Sequence, residues 1–228
     1  MAEPYFIYNN LISQDMGILV NELPPIIKAP RDIDKIIIPG RDGFLTEDLK
    51  TYGGTVKPCE CTILDITMVD QVLAWLDGSG EVIFSNQLDR KYQACIINQI
   101  PFNRIIRKWY KFIVIFDCQP LALMLDNPVI TLTAPGSIYN GGTYKSRPGI
   151  KVYGTGTIDL SINGSTIHLT NVVDYVTIDS GLMDCYKDTL LKNGDMAGDF
   201  PELIVGENII SWTGTVTSVL ITPNWRYL

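Results

Sequence analysis

Two periods organise the apolar positions of this chain, and the two-residue period of half-buried strands dominates. Thr55 to Asp65 follows a Gly-Gly break, and its Cys59, Cys61 and Ile63 fall on one face. Glu81 to Ser85 and Tyr92 to Ile100 read as strands joined across Asn86 to Arg90. Met16 to Val20 is a shorter strand. Pro24, Pro25 and Pro30 then forbid continuous regular structure, so this stretch is an arm or a meandering edge. Ile36-Ile37-Ile38 reads as a buried strand ended by Pro39, and Gly40-Arg41-Asp42-Gly43 follows as a tight, charged turn. The helical period surfaces in Thr67 to Asp77. There Val69, Val72, Leu73 and Leu76 form a buried stripe, Asp65 or Thr67 caps the start, and Gly78 supplies a left-handed residue at the end.

Arg104 to Cys118 fits both periods. As a helix it sets Ile105, Ile106, Trp109, Phe112, Ile113 and Phe116 against Arg104, Arg107, Lys108 and Lys111, a basic amphipathic surface suited to a membrane. Its density of β-branched and aromatic residues favours one long strand instead. Cys118-Gln119-Pro120 ends that strand, and Leu121 to Pro128 is the expected link between domains.

Beyond the link, short strands alternate with glycine turns. Thr157 to Ile162 and Ser165 to Thr170 flank Asn163-Gly164, a dipeptide that populates the positive φ angles of a type I′ hairpin turn. Tyr175 to Asp179, Glu202 to Val205, Asn208 to Thr213 and Val216 to Thr222 continue the pattern. The spacing predicts a β-sandwich. The expected organisation is mainly β: residues 1–127 as one domain with a single helix, and residues 128–228 as the sandwich.

Composition narrows the function. With 228 residues, 46% hydrophobic and 19% charged, the chain can bury a core for two domains. The formal charge is −7, with 12 basic and 16 acidic side chains in residues 1–127 and 6 and 9 in residues 128–228. Neither half is basic enough for binding driven by phosphate neutralisation. The five cysteines are odd in number and widely spaced, which suits free thiols in a reducing cytoplasm. Met1-Ala2-Glu3-Pro4 begins no signal peptide, and no run approaches the roughly 20 apolar residues of a membrane span, so no membrane insertion is expected.

Candidate chemistry is sparse. The single histidine, His168, lies in the hairpin's second strand and reads as solvent-facing or capped by a hydrogen bond. Cys59 and Cys61 lack the further close pair that a zinc site needs, and packing is their expected role. Asp179, Asp184, Asp188, Asp195 and Asp199 lack the EF-hand pattern and read as solvated turns. No glycine pair precedes a helix in the manner of a phosphate loop. Tyr139, Tyr144, Tyr153, Trp212, Trp225 and Tyr227 could stack on sugars, or serve core and subunit contacts. No catalytic residue, cofactor or metal is expected, and no motif suggests the paired carboxylates of a glycosidase.

One set of motifs goes further. Leu23-Pro24-Pro25, Pro30-Arg31-Asp32, Ile38-Pro39-Gly40-Arg41-Asp42-Gly43, Ala74-Trp75-Leu76, Phe84-Ser85-Asn86 and Phe116-x-Cys118-Gln119-Pro120 occur in that order in the first half. Gly154-x-Gly156, Ile162-Asn163-Gly164, Ile178-Asp179-Ser180, Phe200-Pro201-x-Leu203, Gly206-x-Asn208-x-Ile210 and Pro223-Asn224-Trp225-Arg226 follow in the second. Across nearly the whole chain this resembles the distal tail proteins of long-tailed bacteriophages and prophages.

The resemblance implies an N-terminal β-barrel-like domain with one helix and a C-terminal galectin-like β-sandwich. It implies a structural protein of the virion tail tip, assembled in the host bacterial cytoplasm. Six copies would form a ring joining the major tail tube protein to the tail-associated tip protein, with receptor-binding proteins as further partners on the outer domain. DNA would pass through the lumen without specific binding. Arg41, Asp42 and Phe44, in a charged, apolar-tipped turn, are the candidate contact residues for a subunit or the tube. Two departures stand out. The chain has no room for the inserted carbohydrate-binding modules of some relatives. Ile167-His168-Leu169-Thr170 also does not match the galectin sugar site, so shape alone does not imply sugar binding. A carbohydrate-binding module for host recognition is the alternative.

Overall fold

The computed structural model describes residues 3–106 and 109–228 and divides into two compact units, residues 1–125 with Leu228 and residues 126–227. In chain order the first unit contains β1 (Phe6–Tyr8), β2 (Leu11–Ile12), β3 (Ile18–Glu22), β4 (Arg31–Ile36), β5 (Leu45–Tyr52) and β6 (Thr55–Ile63). After these come α1 (Val69–Trp75), β7 (Gly78–Phe84), β8 (Arg90–Ile96), β9 (Asn103–Ile106), β10 (Trp109–Cys118) and β11 (Ala122–Met124). The fold is mainly β, with a curled, half-barrel sheet in the order β2-β1-β7-β8-β10-β6-β3.

Period-two alternation builds the core of this sheet. Cys59, Cys61 and Ile63 of β6 are buried together with Phe112, Val114, Phe116 and Cys118 of β10. Phe116 sits at the centre of an aromatic cluster, with ring centroids 5.2 Å from Phe6, 5.7 Å from Tyr8 and 5.5 Å from Phe84. Lys57 lies on the same face of β6 and is buried too, its Nζ 4.4 Å from the centroid of Tyr92. Burial pushes its pKa down.

Helix α1 is shorter and its buried stripe narrower than the periodicity predicts. Asp65 caps a 3-10 turn over Ile66–Met68 by accepting from the Thr67 amide at 3.1 Å, and the α-helix starts only at Val69. Val72 and Leu76 are buried while Leu73 is exposed. Trp75 does the anchoring instead: its ring stacks on Phe6 at 5.6 Å, and its indole N–H donates to the Tyr8 carbonyl at 3.0 Å. Gly78 takes the left-handed conformation at φ +73°.

Residues 104–106 and Trp109–Cys118 are strand rather than helix, but they pair as two antiparallel strands rather than run on as one. β9 folds back on β10 with Ile106 opposite Trp109 and Arg104 opposite Tyr110. The expectations for Arg107 and Lys108 fall outside the described residues. The expected interdomain link also changes, because β11 pairs with β8 and belongs to the first unit.

The second unit contains β12 (Ile130–Leu132), β13 (Gly136–Asn140), β14 (Gly149–Ile162), β15 (Ser165–Val172), β16 (Tyr175–Asp179), β17 (Asp184–Lys187), β18 (Leu190–Leu191), β19 (Met196–Ala197), β20 (Gly206–Thr222) and β21 (Arg226–Tyr227). It is a β-sandwich whose two layers share strands. Residues 149–153 of β14 run between β16 and the later part of β20, and residues 158–162 run between β15 and its earlier part. The two expected strands Asn208 to Thr213 and Val216 to Thr222 are therefore one bent strand. Glycine permits the bends: Gly214 has φ +96°, and a Cβ on Gly154 would lie 2.3 Å from the Thr215 carbonyl oxygen. Asn163 and Gly164 both have positive φ, 51° and 84°, as the expected hairpin turn demands. Glu202 to Val205 forms no strand, only a bridge between Leu203 and Ser146. Asn208 holds this stretch by accepting from the Ile204 amide at 2.8 Å and donating to the Ile204 carbonyl at 2.9 Å.

Candidate functional site

The outstanding surface of the first unit is the β4–β5 hairpin, a two-stranded sheet of its own with no third strand on either edge among the described residues. Its sequences, RDIDKI and LTEDLKTY, intersperse charged with apolar side chains, and nearly every position of both strands is exposed. The base is firmly held. Arg31 Nε donates to Asp48 Oδ1 at 2.9 Å, Thr51 Oγ1 donates to Asp32 Oδ2 at 2.8 Å, and the Gly53 amide donates to the Pro30 carbonyl at 3.0 Å. The Arg31 guanidinium and the Lys50 amide hold the Asp48 carboxyl below the usual carboxylate range. A bulge between Arg31 and Ile33, with Lys50 at φ 59°, sets the twist.

The distal part has no such brace. Ile36-Ile37-Ile38, expected to be a buried strand, is exposed: Ile36 is 46%, Ile37 78% and Ile38 39% accessible. The reason is topological. The strand ends at Ile36, and the hairpin is a sheet of its own that, among the described residues, joins no strand of the larger sheet. Leu45, directly opposite Ile36, is exposed on the same face, and Ile33 and Leu49 are exposed elsewhere on the hairpin. Arg41, Asp42 and Phe44 lie in the loop between β4 and β5, all exposed. The Arg41 amide closes the turn on the Ile38 carbonyl at 3.2 Å, with Gly40 and Gly43 both at φ +81°. Lys35 Nζ stands 4.7 Å from the centroid of Phe44. The contact residues singled out from the sequence thus cap a longer apolar arm. The charged alternation flanking Pro39-Gly40 was the signal for that arm, and three isoleucines read as core obscured it.

A second exposed apolar patch lies on the β9–β10 hairpin, where Ile105, Ile106 and Trp109 all face out. β9 pairs with β10 along one edge and, among the described residues, with no strand along the other.

The remaining candidates are satisfied locally. His168 Nδ1 lies 2.7 Å from Asp159 Oδ1, its exposed cross-strand neighbour. The Cys59 and Cys61 sulfurs are buried 3.9 Å apart, and Cys59 Sγ lies 3.4 Å from the Glu22 carbonyl oxygen. Among the described residues no three His, Cys, Asp or Glu side chains gather as metal ligands. Asp179 closes a turn by accepting from the Gly181 and Leu182 amides, and Asp195 accepts from Asn171 and Lys192. Of the six candidate aromatic side chains, Tyr139 is exposed, and Tyr144 bridges to Arg226 between Trp225 and Tyr227. Trp225 is buried, while Tyr153 lies 5.5 Å from Tyr175, and Lys151 Nζ sits 3.8 Å from the Tyr175 centroid. A sugar stacking there would first displace a lysine. A cavity of about 210 Å³ lies between β15 and the β17–β18 turn, walled by Leu169, Val172, Val176, Cys185 and Leu190. Its rim groups Lys192, Asp195 and Asn171 bond one another. No helix among the described residues is long and apolar enough to cross a membrane.

No protein-family model and no curated protein matches the chain. A solved structure does. The Dit (gp 19.1) protein of phage SPP1, described as a paradigm of the hub adsorption apparatus in phages infecting Gram-positive bacteria, superposes with a TM-score of 0.75. The match covers 100% of both chains at 15% sequence identity. The fold is therefore that of a phage hub protein over its whole length.

Proposed function

We propose that this protein is a structural component of a phage tail tip. Six copies close into a ring that joins the tail tube to the adsorption apparatus and leaves a channel for the genome. One observation carries the reading: a chain with the fold of a hub protein from end to end projects an apolar hairpin that its own unit leaves uncovered. An exposed isoleucine cluster flanked by charge is the composition of an assembly surface. Ring closure removes unpaired sheet edges and repeats each docking site by symmetry. Six weak contacts to each neighbour then act together through effective concentration. A net charge of −7 suits a conduit that DNA traverses without sticking. The tube protein and the tip protein are the expected neighbours along the axis, receptor-binding proteins the expected cargo of the outer sandwich.

The test is mass in solution by light scattering over a range of concentrations, with electron microscopy of the same sample. Rings of six 25.5 kDa protomers with a central opening are expected. A protein that stays monomeric at every concentration, even with purified tube and tip proteins added, refutes the reading.

A further inference from the structure

We infer that the β4–β5 hairpin of one copy pairs with the open β9 edge of the next, with Asp34 and Glu47 of the first copy facing Arg104 of the second. This deepens the ring reading and rests on it.

Three observations meet here. The first is edge availability. Among the described residues the hairpin has an open edge on each side, and the far edge of β9 has no strand partner. Two exposed edges complete each other's backbone hydrogen bonds when a strand is added. The second is charge. Asp34 stands directly opposite Glu47 in the hairpin register, on the same side as the Ile36–Leu45 pair. Two like charges in directly opposed positions destabilise a strand pair, and among the described residues no cation lies within ion-pair distance of either carboxylate. Arg104 on β9 is exposed among Ile105, Ile106 and Trp109 and likewise has no acidic partner among the described residues. An apolar surface bearing an unmatched acidic pair and an apolar edge bearing an unmatched guanidinium are complementary in both terms.

The third observation is placement. The hairpin leads into β6 at Thr55, which pairs with Cys118, the last residue of β10. β9 joins β10 at its other end, at Trp109. Nine steps of about 3.4 Å separate those ends by roughly 30 Å. The base of the hairpin and the β9 strand thus lie at opposite ends of one strand pair, an arrangement suited to a head-to-tail contact, which closes into a ring when the rotation per copy permits.

Charge reversal with rescue tests the pairing. Glu47→Arg and Arg104→Glu are exposed substitutions, so circular dichroism and the unfolding midpoint stay at wild-type values. Each alone is expected to weaken self-association by about tenfold or more, and the two combined in one chain to restore it. Mixing a chain carrying Asp34→Arg and Glu47→Arg with one carrying Arg104→Glu is expected to restore association that neither shows alone. If the wild type forms rings and neither single reversal weakens them, or the combination does not recover, the pairing is wrong while the ring reading stands. If the wild type forms no ring alone or with its neighbours, both fall together.

Discussion

Replacing Ile37 by serine separates a surface built for assembly from one built for folding. Ile37 is 78% exposed and lies outside both hairpin strands, so the change touches neither a ladder hydrogen bond nor the core. Fully burying an isoleucine side chain contributes about 1.5–3 kcal/mol, so covering the exposed four-fifths contributes about 1.2–2.4 kcal/mol, or about 8- to 60-fold in the affinity of each contact. The isolated protomer should lose no more than about 0.5 kcal/mol, as expected for an exposed site. Sedimentation equilibrium across concentration reads the first quantity and thermal unfolding the second. The expected outcome is weaker association at an unchanged midpoint. A lowered midpoint with unchanged association would mean that Ile37 packs within its own fold. No change in either would remove Ile37 from the contact.

Other consequences are as direct. Replacing Arg41 and Asp42 together should weaken ring formation, and an unchanged ring on a sizing column would take this loop out of the contact. Phe116→Ala removes the centre of four packed rings and should cost about 3–5 kcal/mol in denaturant unfolding, whereas an exposed-site cost would show that the cluster repacks. Gly142→Ala places a Cβ 2.5 Å from the Arg226 carbonyl oxygen and should lower the midpoint by several degrees as the Thr143 and Tyr144 amides lose that acceptor. Lys57→Met should stabilise the protein at neutral pH. Burial holds the folded lysine below its ordinary value of 10.5, so the unfolded chain binds more protons and wild-type stability rises with pH between the two values. The advantage of the variant should shrink over that window, and a difference in urea midpoints that stays constant from neutral pH up to 10.5 would refute the lowered pKa of Lys57.

Legibility tracked how local each determinant was. The Asn163-Gly164 turn and the Cys59, Cys61, Ile63 face follow from φ preference and strand period alone, and both stand as expected. The strand bias of Arg104 to Cys118 was readable, but the reversal between Ile106 and Trp109 lacks a glycine or proline to announce it. The bends in β14 and β20 depend on which backbone approaches Gly154 and Gly214, a tertiary fact. Ile36-Ile37-Ile38 was misplaced for a deeper reason. Hydrophobic periodicity reports that a surface is kept from water, not whether its own chain or another molecule covers it. Arg41, Asp42 and Phe44 were found as an exposed turn, while the arm beneath them was not.

The strands shared by both sandwich layers bear on force. β14 and β20 run through both layers and are paired at both ends, from Gly149–Thr222 to Ile162–Ile210, with two register shifts at the bend between. The two layers are therefore tied by covalent backbone as well as by side-chain packing, and neither can peel away while this pair holds. Tension applied along the strands of one layer passes through the chain to the other, where it loads the antiparallel hydrogen bonds in shear together instead of opening them one by one. A domain wired in this way yields late and all together under a pull.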